Sequence, residues 1–129
     1  MMNKKNITTD QAPAAIGPYS QGIVVKDLLF TSGQLPIDIK TGMMPTTIEE
    51  QTIASLTNVK AIVEAAGSEM KDVIKVMVFL KDMNDFAAMN QIYETFFEAP
   101  YPSRSCVEVA RLPKDANIEI EAIAQVKKQ

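Results

Sequence analysis

Residues 102–124 read PSRSCVEVARLPKDANIEIEAIA, and they decide how the rest of the chain is understood. The second half alternates strictly: Ile118, Ile120, Ala122 and Ala124 on one side, Glu119 and Glu121 on the other. Successive strand side chains point to opposite faces, so this is a strand with one face on a core. The first half opens at Arg104, just after Pro102, and carries the only cysteine, Cys106. Two strand-forming runs flank the turn-like LPKDAN segment, which predicts a β-hairpin. With Leu112 opposite Ile118, Glu119 faces Arg111 and Arg104 lies seven residues further back. At about 3.3 Å per residue that is roughly 23 Å.

The separation matters because of what the two side chains can do. The planar guanidinium of an arginine grips a carboxylate through two parallel hydrogen bonds. A strand carboxylate can orient or activate a water. Arg104 and Glu119 are the two ends of a site for a small acid, yet 23 Å is too far to hold one small molecule. Either one of them is functional alone, or the site forms between copies of the chain. A closed ring of heterologous contacts would repeat such a site around the ring.

Upstream, residues 1–15 are polar and end in a Pro/Ala segment, without a strand or helix pattern. Gly17-Pro18 bends the chain, which either aims Tyr19 sideways or leaves it at the core edge. Residues 22–26 and 28–32 read as strands joined at Lys26-Asp27. Gly33 after Ser32 marks either a close approach or a bulge. Residues 36–45 form a loop with a turn at Thr41-Gly42. Thr47 and Glu50 make a capping box. Ile48, Thr52, Leu56, Val59, Val63 and Ala66 then recur at helical steps up to Gly67, predicting an amphipathic helix over about 48–66. The near-continuous apolar run 73–80 reads as a strand covered on both faces. Asn84 starts a second helix to about Phe97, with Phe86, Met89, Tyr93 and Phe96 inward and Asn90 beside them.

The predicted order is β-β-α-β-α-β-β, an α+β mixed sheet with two helices on one face, in one domain over 1–129. Val76, Val78, Val107 and Val109 are expected on the other face. An exposed apolar sheet face calls for a partner, so a homo-oligomer is expected.

Composition narrows the chemistry. With 129 residues, 47% hydrophobic and 22% charged, the chain is one domain long and rich enough to bury a core. The formal charge is −3, and the basic residues are scattered without the stripe of a nucleic-acid binder. Lys4-Lys5 and Lys127-Lys128 read as solvated tails. A single cysteine makes no internal disulfide, and no stretch approaches the ~20 apolar residues needed to cross a bilayer. Without an apolar leader the cytoplasm is the expected location. The chain has no histidine, the commonest general base and metal ligand, so neither a zinc nor an iron site is expected. Cys106, with no histidine to activate it, reads as a small buried strand residue rather than a nucleophile. The plain alternative for Arg104 is a surface salt bridge.

Four stretches together carry a family resemblance: 102–124, APAAIGPYSQ at 12–21, FTSGQ at 30–34 and NVKAIVEAAG at 58–67. With them the chain resembles the Rid family of reactive-intermediate (enamine/imine) deaminases, in its RidA subgroup. The resemblance implies a chorismate-mutase-like fold and a homotrimer with a cleft at each subunit boundary. It implies hydrolysis of 2-imino acids to 2-keto acids and ammonia, without metal or cofactor. The imines arise from enamines released by pyridoxal-phosphate dehydratases acting on serine or threonine. It further implies that Arg104 binds the substrate carboxylate and that Ser32, Gly33 and Cys106 line the acid pocket. Tyr19 then lies over the substrate, Glu119 holds the attacking water and Asn90 is a polar lining residue. The short 98–101 connection and Ser103, where alanine is common, depart from the pattern and bear on substrate size. Two other functions fit less well: an endoribonuclease, against which the acidic balance counts, and a module that binds keto acids without turnover.

Overall fold

Six strands form one sheet in the computed structural model, which describes residues 3–127. They are β1 Lys4–Ile7, β2 Gly22–Val25, β3 Leu28–Thr31, β4 Val73–Leu80, β5 Ser103–Glu108 and β6 Ile118–Gln125. Their spatial order is β1-β2-β3-β6-β4-β5, with β4 and β5 parallel and every other pair antiparallel. Two helices, α1 Ile48–Ala65 and α2 Phe86–Glu94, pack on one face. This is the expected α+β mixed sheet, with one more strand than the sequence suggested.

The added strand, β1, lies in the polar lead. Of its residues KKNI only Ile7 is buried, so it carries no alternation to reveal it. Lys4 and Lys5 therefore belong to a strand rather than a tail. Lys127 is not free either: its Nζ lies 2.8 Å from Glu69 Oε2. Its neighbour Lys128 lies outside the described residues.

The expected hairpin does not form. β5 and β6 are not neighbours, because β4 lies between them, parallel to one and antiparallel to the other. The LPKDAN segment carries the chain over the end of β4. The Val109 amide donates to the Leu80 carbonyl on one side of that end, and the Lys81 amide donates to the Asn117 carbonyl on the other. Lys114 and Asp115, both at positive φ, complete the turn. Glu119 thus stands opposite Phe79, not Arg111.

The helix-covered face buries Val76, Val78, Leu80, Ile118, Ile120, Ala122 and Ala124 together with Leu56, Val59, Ile62 and Val63 of α1. Val76 and Val78 therefore line the core rather than the open face, because the pleat of β4 puts them beside Ile120 and Ala122. Lys75, Met77 and Phe79 take the other side, so in the described chain β4 is covered on one face only. Beside them lie Glu119, Glu121 and Ile123 of β6, and Phe30 of β3, which is 42% exposed. Of the four valines expected there, Val107 does lie on this face, opposite Phe79 on β4.

Helix α1 starts as expected: the Thr47 side chain accepts from the Glu50 amide, and Gly67 at φ +85° follows its end. Helix α2 is shorter than expected. Its first turn is preceded by a 3-10 turn, Met83–Asp85, in which Asp82 rather than Asn84 supplies the capping oxygen. After Glu94 the chain passes to i→i−3 bonds, from the Thr95 amide to the Ile92 carbonyl and from the Phe96 amide to the Tyr93 carbonyl, and Phe97 is buried beyond that end.

Candidate functional site

Arg104 lies opposite Val76 on the parallel neighbour β4, so its side chain points to the helix-covered side. β5 is an edge strand and the helical cover ends there, which leaves the guanidinium only partly buried. Helix α2 presents Phe86, Asn90 and Tyr93, spaced i, i+4 and i+7, toward it. Arg104 Nη1 donates to Asn90 Oδ1 at 2.7 Å. Its guanidinium carbon lies 4.5 Å from the centre of the Tyr93 ring and 5.5 Å from that of Phe86, both within cation–π range. Among the described residues no carboxylate comes within 4.0 Å of it. The plain alternative, a surface salt bridge, is therefore not what holds Arg104. An arginine fixed by neutral groups keeps its positive charge available to an incoming anion. It opens on a cleft of about 370 Å³ lined by Asn90, Tyr93, Glu94, Tyr101, Pro102 and Arg104.

Cys106 lies two residues along β5 on the same side and packs partly against the core. Burial pushes its thiol up, and the nearby Arg104 charge only partly opposes this. A protonated thiol is a poor nucleophile, so Cys106 is suited to be a wall.

Glu119 belongs to the other face. An isolated bridge between Gln34 and Ile120 lays the segment after β3 along β6. That brings Gly33 against the Glu119 carboxyl. A Cβ built on Gly33 would overlap Glu119 Oε2, so the acid keeps this position only beside a glycine and would have to shift for any larger residue. The glycine thus marks a close approach, and what approaches is a side chain of the same molecule. Burial, and secondarily the negative Glu121, raise the Glu119 carboxyl above its ordinary 4.5.

Ser32 joins this group through its backbone amide, which donates to the Gln21 carbonyl, and its Oγ, which donates to the Ser20 carbonyl. Gln21 is buried and binds Thr9, Ala12 and Pro13 through its side-chain amide, which fixes the loop bearing Tyr19. Tyr19 itself is 52% exposed, so the core-edge reading is wrong for it.

The residues singled out from sequence therefore fall into two groups. Arg104, Asn90 and Cys106 stand at the edge of the covered face. Glu119, Gly33, Ser32 and the Tyr19 loop stand with the open side and its border. Arg104 pairs with Val76 and Glu119 with Phe79, three residues and two strand spacings apart. That gives about 14 Å between backbones rather than 23 Å, from ~3.3 Å per residue and ~4.8 Å per strand. The two side chains also point to opposite faces, so a single copy does not bring them together. Phe86 and Tyr93 were legible only as core residues. The one available signal was their helical spacing from Asn90.

The family model described as "Endoribonuclease L-PSP" matches residues 9–126. A 2-iminobutanoate/2-iminopropanoate deaminase of Escherichia coli strain K12 is 58% identical over 123 residues, covering 93% of this chain and 96% of that protein. The crystal structure of E. coli TdcF with bound serine superposes with a TM-score of 0.91 at 53% identity, over 96% of this chain and 99% of that one. RidA from an Antarctic Psychrobacter gives 0.91 at 42% identity, over 95% and 99%. With a family match over most of its length and relatives this similar, the chain belongs to the Rid family, in its RidA-type branch.

Proposed function

We propose that this protein hydrolyses reactive 2-imino and enamino acids, released by dehydratases acting on serine or threonine, to 2-keto acids and ammonia. The observation that carries the reading is the Arg104 guanidinium: over the Tyr93 ring, held by Asn90, and with no carboxylate partner among the described residues. The relative from E. coli named as a 2-iminobutanoate/2-iminopropanoate deaminase supports the same chemistry.

Arg104 binds the substrate carboxylate and leaves the C=N carbon open. Glu119 holds a water against that carbon. Water attacks, the C=N π electrons pass to nitrogen, and a carbinolamine forms. Glu119 takes the proton from the attacking water and returns one to nitrogen. Glu119 then takes the carbinolamine hydroxyl proton and passes it to the amine, so that the C–N bond breaks as the oxygen becomes the keto group and neutral ammonia leaves. A carboxyl raised above 4.5 by burial is better matched to this exchange than a solvated one. Ser32, Gly33 and Cys106 line the acid pocket, Tyr19 covers it, and Asn90 orients the arginine. The chain works as one domain in a homotrimer, where Arg104 of one copy meets Glu119 of the next across the otherwise uncovered sheet face. We place it in the cytoplasm, beside the dehydratases. Among the described residues no helix is long and apolar enough to cross a membrane.

The test supplies imine from threonine with threonine dehydratase and traps it as the semicarbazone. The protein should lower semicarbazone formation and speed 2-ketobutyrate release, and Arg104→Ala should abolish both effects. Semicarbazone formation unchanged by the wild-type protein would refute the reading. The family model's description as an endoribonuclease supports RNA cleavage as a second reading. The net charge of −3 weighs against it. Cleavage of single-stranded RNA that disappears in Arg104→Ala would favour it.

A further inference from the structure

We propose that Tyr93 is a positioning residue of the deamination site: its ring face is the platform that holds the Arg104 guanidinium in the plane where it receives the substrate carboxylate. The inference rests on the reading of Arg104 as the anchor.

Tyr93 is 5% exposed and lies in the core cluster, where a large aromatic would ordinarily need no further explanation. Two features set it apart. Its ring centre lies 4.5 Å from the guanidinium carbon, nearer than that of Phe86. Its hydroxyl is buried and has no hydrogen-bond partner, among very few buried side-chain atoms of this kind in the described chain. A buried tyrosine normally pairs its hydroxyl. This one is not held through its hydroxyl, and the hydroxyl is shielded from anything entering the cleft. The ring face is what remains to act.

Beside the more distant Phe86 ring, two close contacts hold the planar cation. The Asn90 hydrogen bond holds one edge, at Nη1. The Tyr93 ring face lies under the guanidinium carbon and limits its tilt. With the guanidinium carbon held over the ring, an incoming carboxylate is to be met at the free edge of the fork, where the paired N–H groups can reach both of its oxygens. Without the platform the long side chain regains rotamers, and that freedom must be lost again on binding. Burial pushes the Tyr93 hydroxyl up to about 12. The ring therefore stays neutral, and no phenolate competes with substrate for the arginine.

The test keeps ring shape while changing ring charge. Tyr93→Phe removes the unpartnered hydroxyl and should leave KM, kcat and the Kd for 2-ketobutyrate within twofold of wild type. Tyr93→pentafluorophenylalanine keeps the shape but reverses the charge on the ring face. KM and Kd should then rise together by about tenfold, a size set by the cation–π contribution, while kcat and Tm change little. Should the fluorinated protein fail to fold, Tyr93→Leu replaces it, with the same expected rise in Kd. A fluorinated or Leu variant that binds like Tyr93→Phe overturns the inference. So does a Tyr93→Phe variant impaired as much as the fluorinated one, or a fall in kcat with KM unchanged. Arg104→Ala is the control. If it binds 2-ketobutyrate as well as wild type, the anchor reading fails whatever Tyr93 does. If it loses binding and the Tyr93 variants do not, only the platform fails.

Discussion

The two faces of β6 and its neighbours obey different rules. On the covered face, Ile118, Ile120, Ala122 and Ala124 are buried under α1 and pack like the interior of any small protein. On the open face the intervening residues are Glu119, Glu121 and Ile123, next to Met77, Phe79 and the exposed Phe30. One strand thus supplies core with every even residue and places a perturbed acid with an odd one. Arg104 comes from the opposite side of the same sheet, at the edge strand where helical cover stops. Stability and chemistry are separated by the pleat, and the chemistry is divided again between two faces. A sheet arranged this way has its core complete within one chain and its two candidate side chains, Arg104 and Glu119, on opposite faces.

If that division is real, substitutions should sort by face. Among substitutions on β6, the largest effect on activity belongs to Glu119→Gln, which keeps size and removes the carboxylate. Its kcat should fall by about 10²–10⁴-fold, the range for losing a positioned acid–base group, with KM nearly unchanged. Steady-state kinetics with trapped imine would check it. A matching rise in KM would move Glu119 from the chemistry to binding.

On the covered side, Ile120→Ala should cost about 2–5 kcal/mol of unfolding free energy, the usual range for emptying a filled core site. Phe79→Asp, on the open side, should leave the fold of the chain intact and disrupt assembly instead. Urea unfolding and sedimentation measure the two quantities separately. Equal loss of stability from both would erase the contrast between the faces.

A subtler break comes at Gly33. The methyl of Gly33→Ala has no room beside Glu119 Oε2, so the carboxyl must move. Activity should fall by about tenfold or more through misplacement of the base. Ser32→Ala, one residue away, disturbs no such packing and should cost less.

The smallest effect concerns pH. Glu119 has a folded-state pKa raised above 4.5, so the folded chain holds this proton more tightly than the unfolded one. Its contribution to stability is then greatest at low pH and is lost as pH rises from 4.5 through the raised value. Glu119→Gln should therefore be slightly more stable than wild type at neutral pH, with the difference vanishing at acid pH. The same titration should give wild-type activity an acid limb above 4.5. Thermal unfolding against pH checks the sign, and a Glu119→Gln protein less stable at neutral pH would contradict it.

Much of this was legible in the residues. Thr47, Glu50 and Gly67 bracket α1 because capping is local chemistry, and the alternation of 118–124 is local too. The turn at Lys26-Asp27 joins β2 and β3 as read. What could not be read was pairing. The LPKDAN turn looks the same whether the strands it joins bond to each other or straddle a third, and only the backbone bonds of Leu80 and Lys81 to the loop reveal which. The same limit hid β1, whose exposed polar residues leave no pattern. Arg104 and Glu119 were visible as candidates because their side-chain chemistry is distinctive. Their placement on opposite faces was not visible, because it follows from which strands flank β4. Tyr93 was hidden in the core stripe, since a ring that supports a cation and a ring that fills a core have the same spacing.

The central claim is that neither face is enough alone: the site takes its arginine from one copy and its glutamate from another. Mixed assemblies of Arg104→Ala and Glu119→Gln subunits test it directly. Each variant alone should be nearly inactive. Mixed at equal amounts by co-expression or joint refolding, they should regain roughly a quarter of wild-type activity, because in a closed ring about one contact in four then pairs an intact arginine with an intact glutamate. Mixed particles of confirmed composition that stay as inactive as their parents would contradict the account.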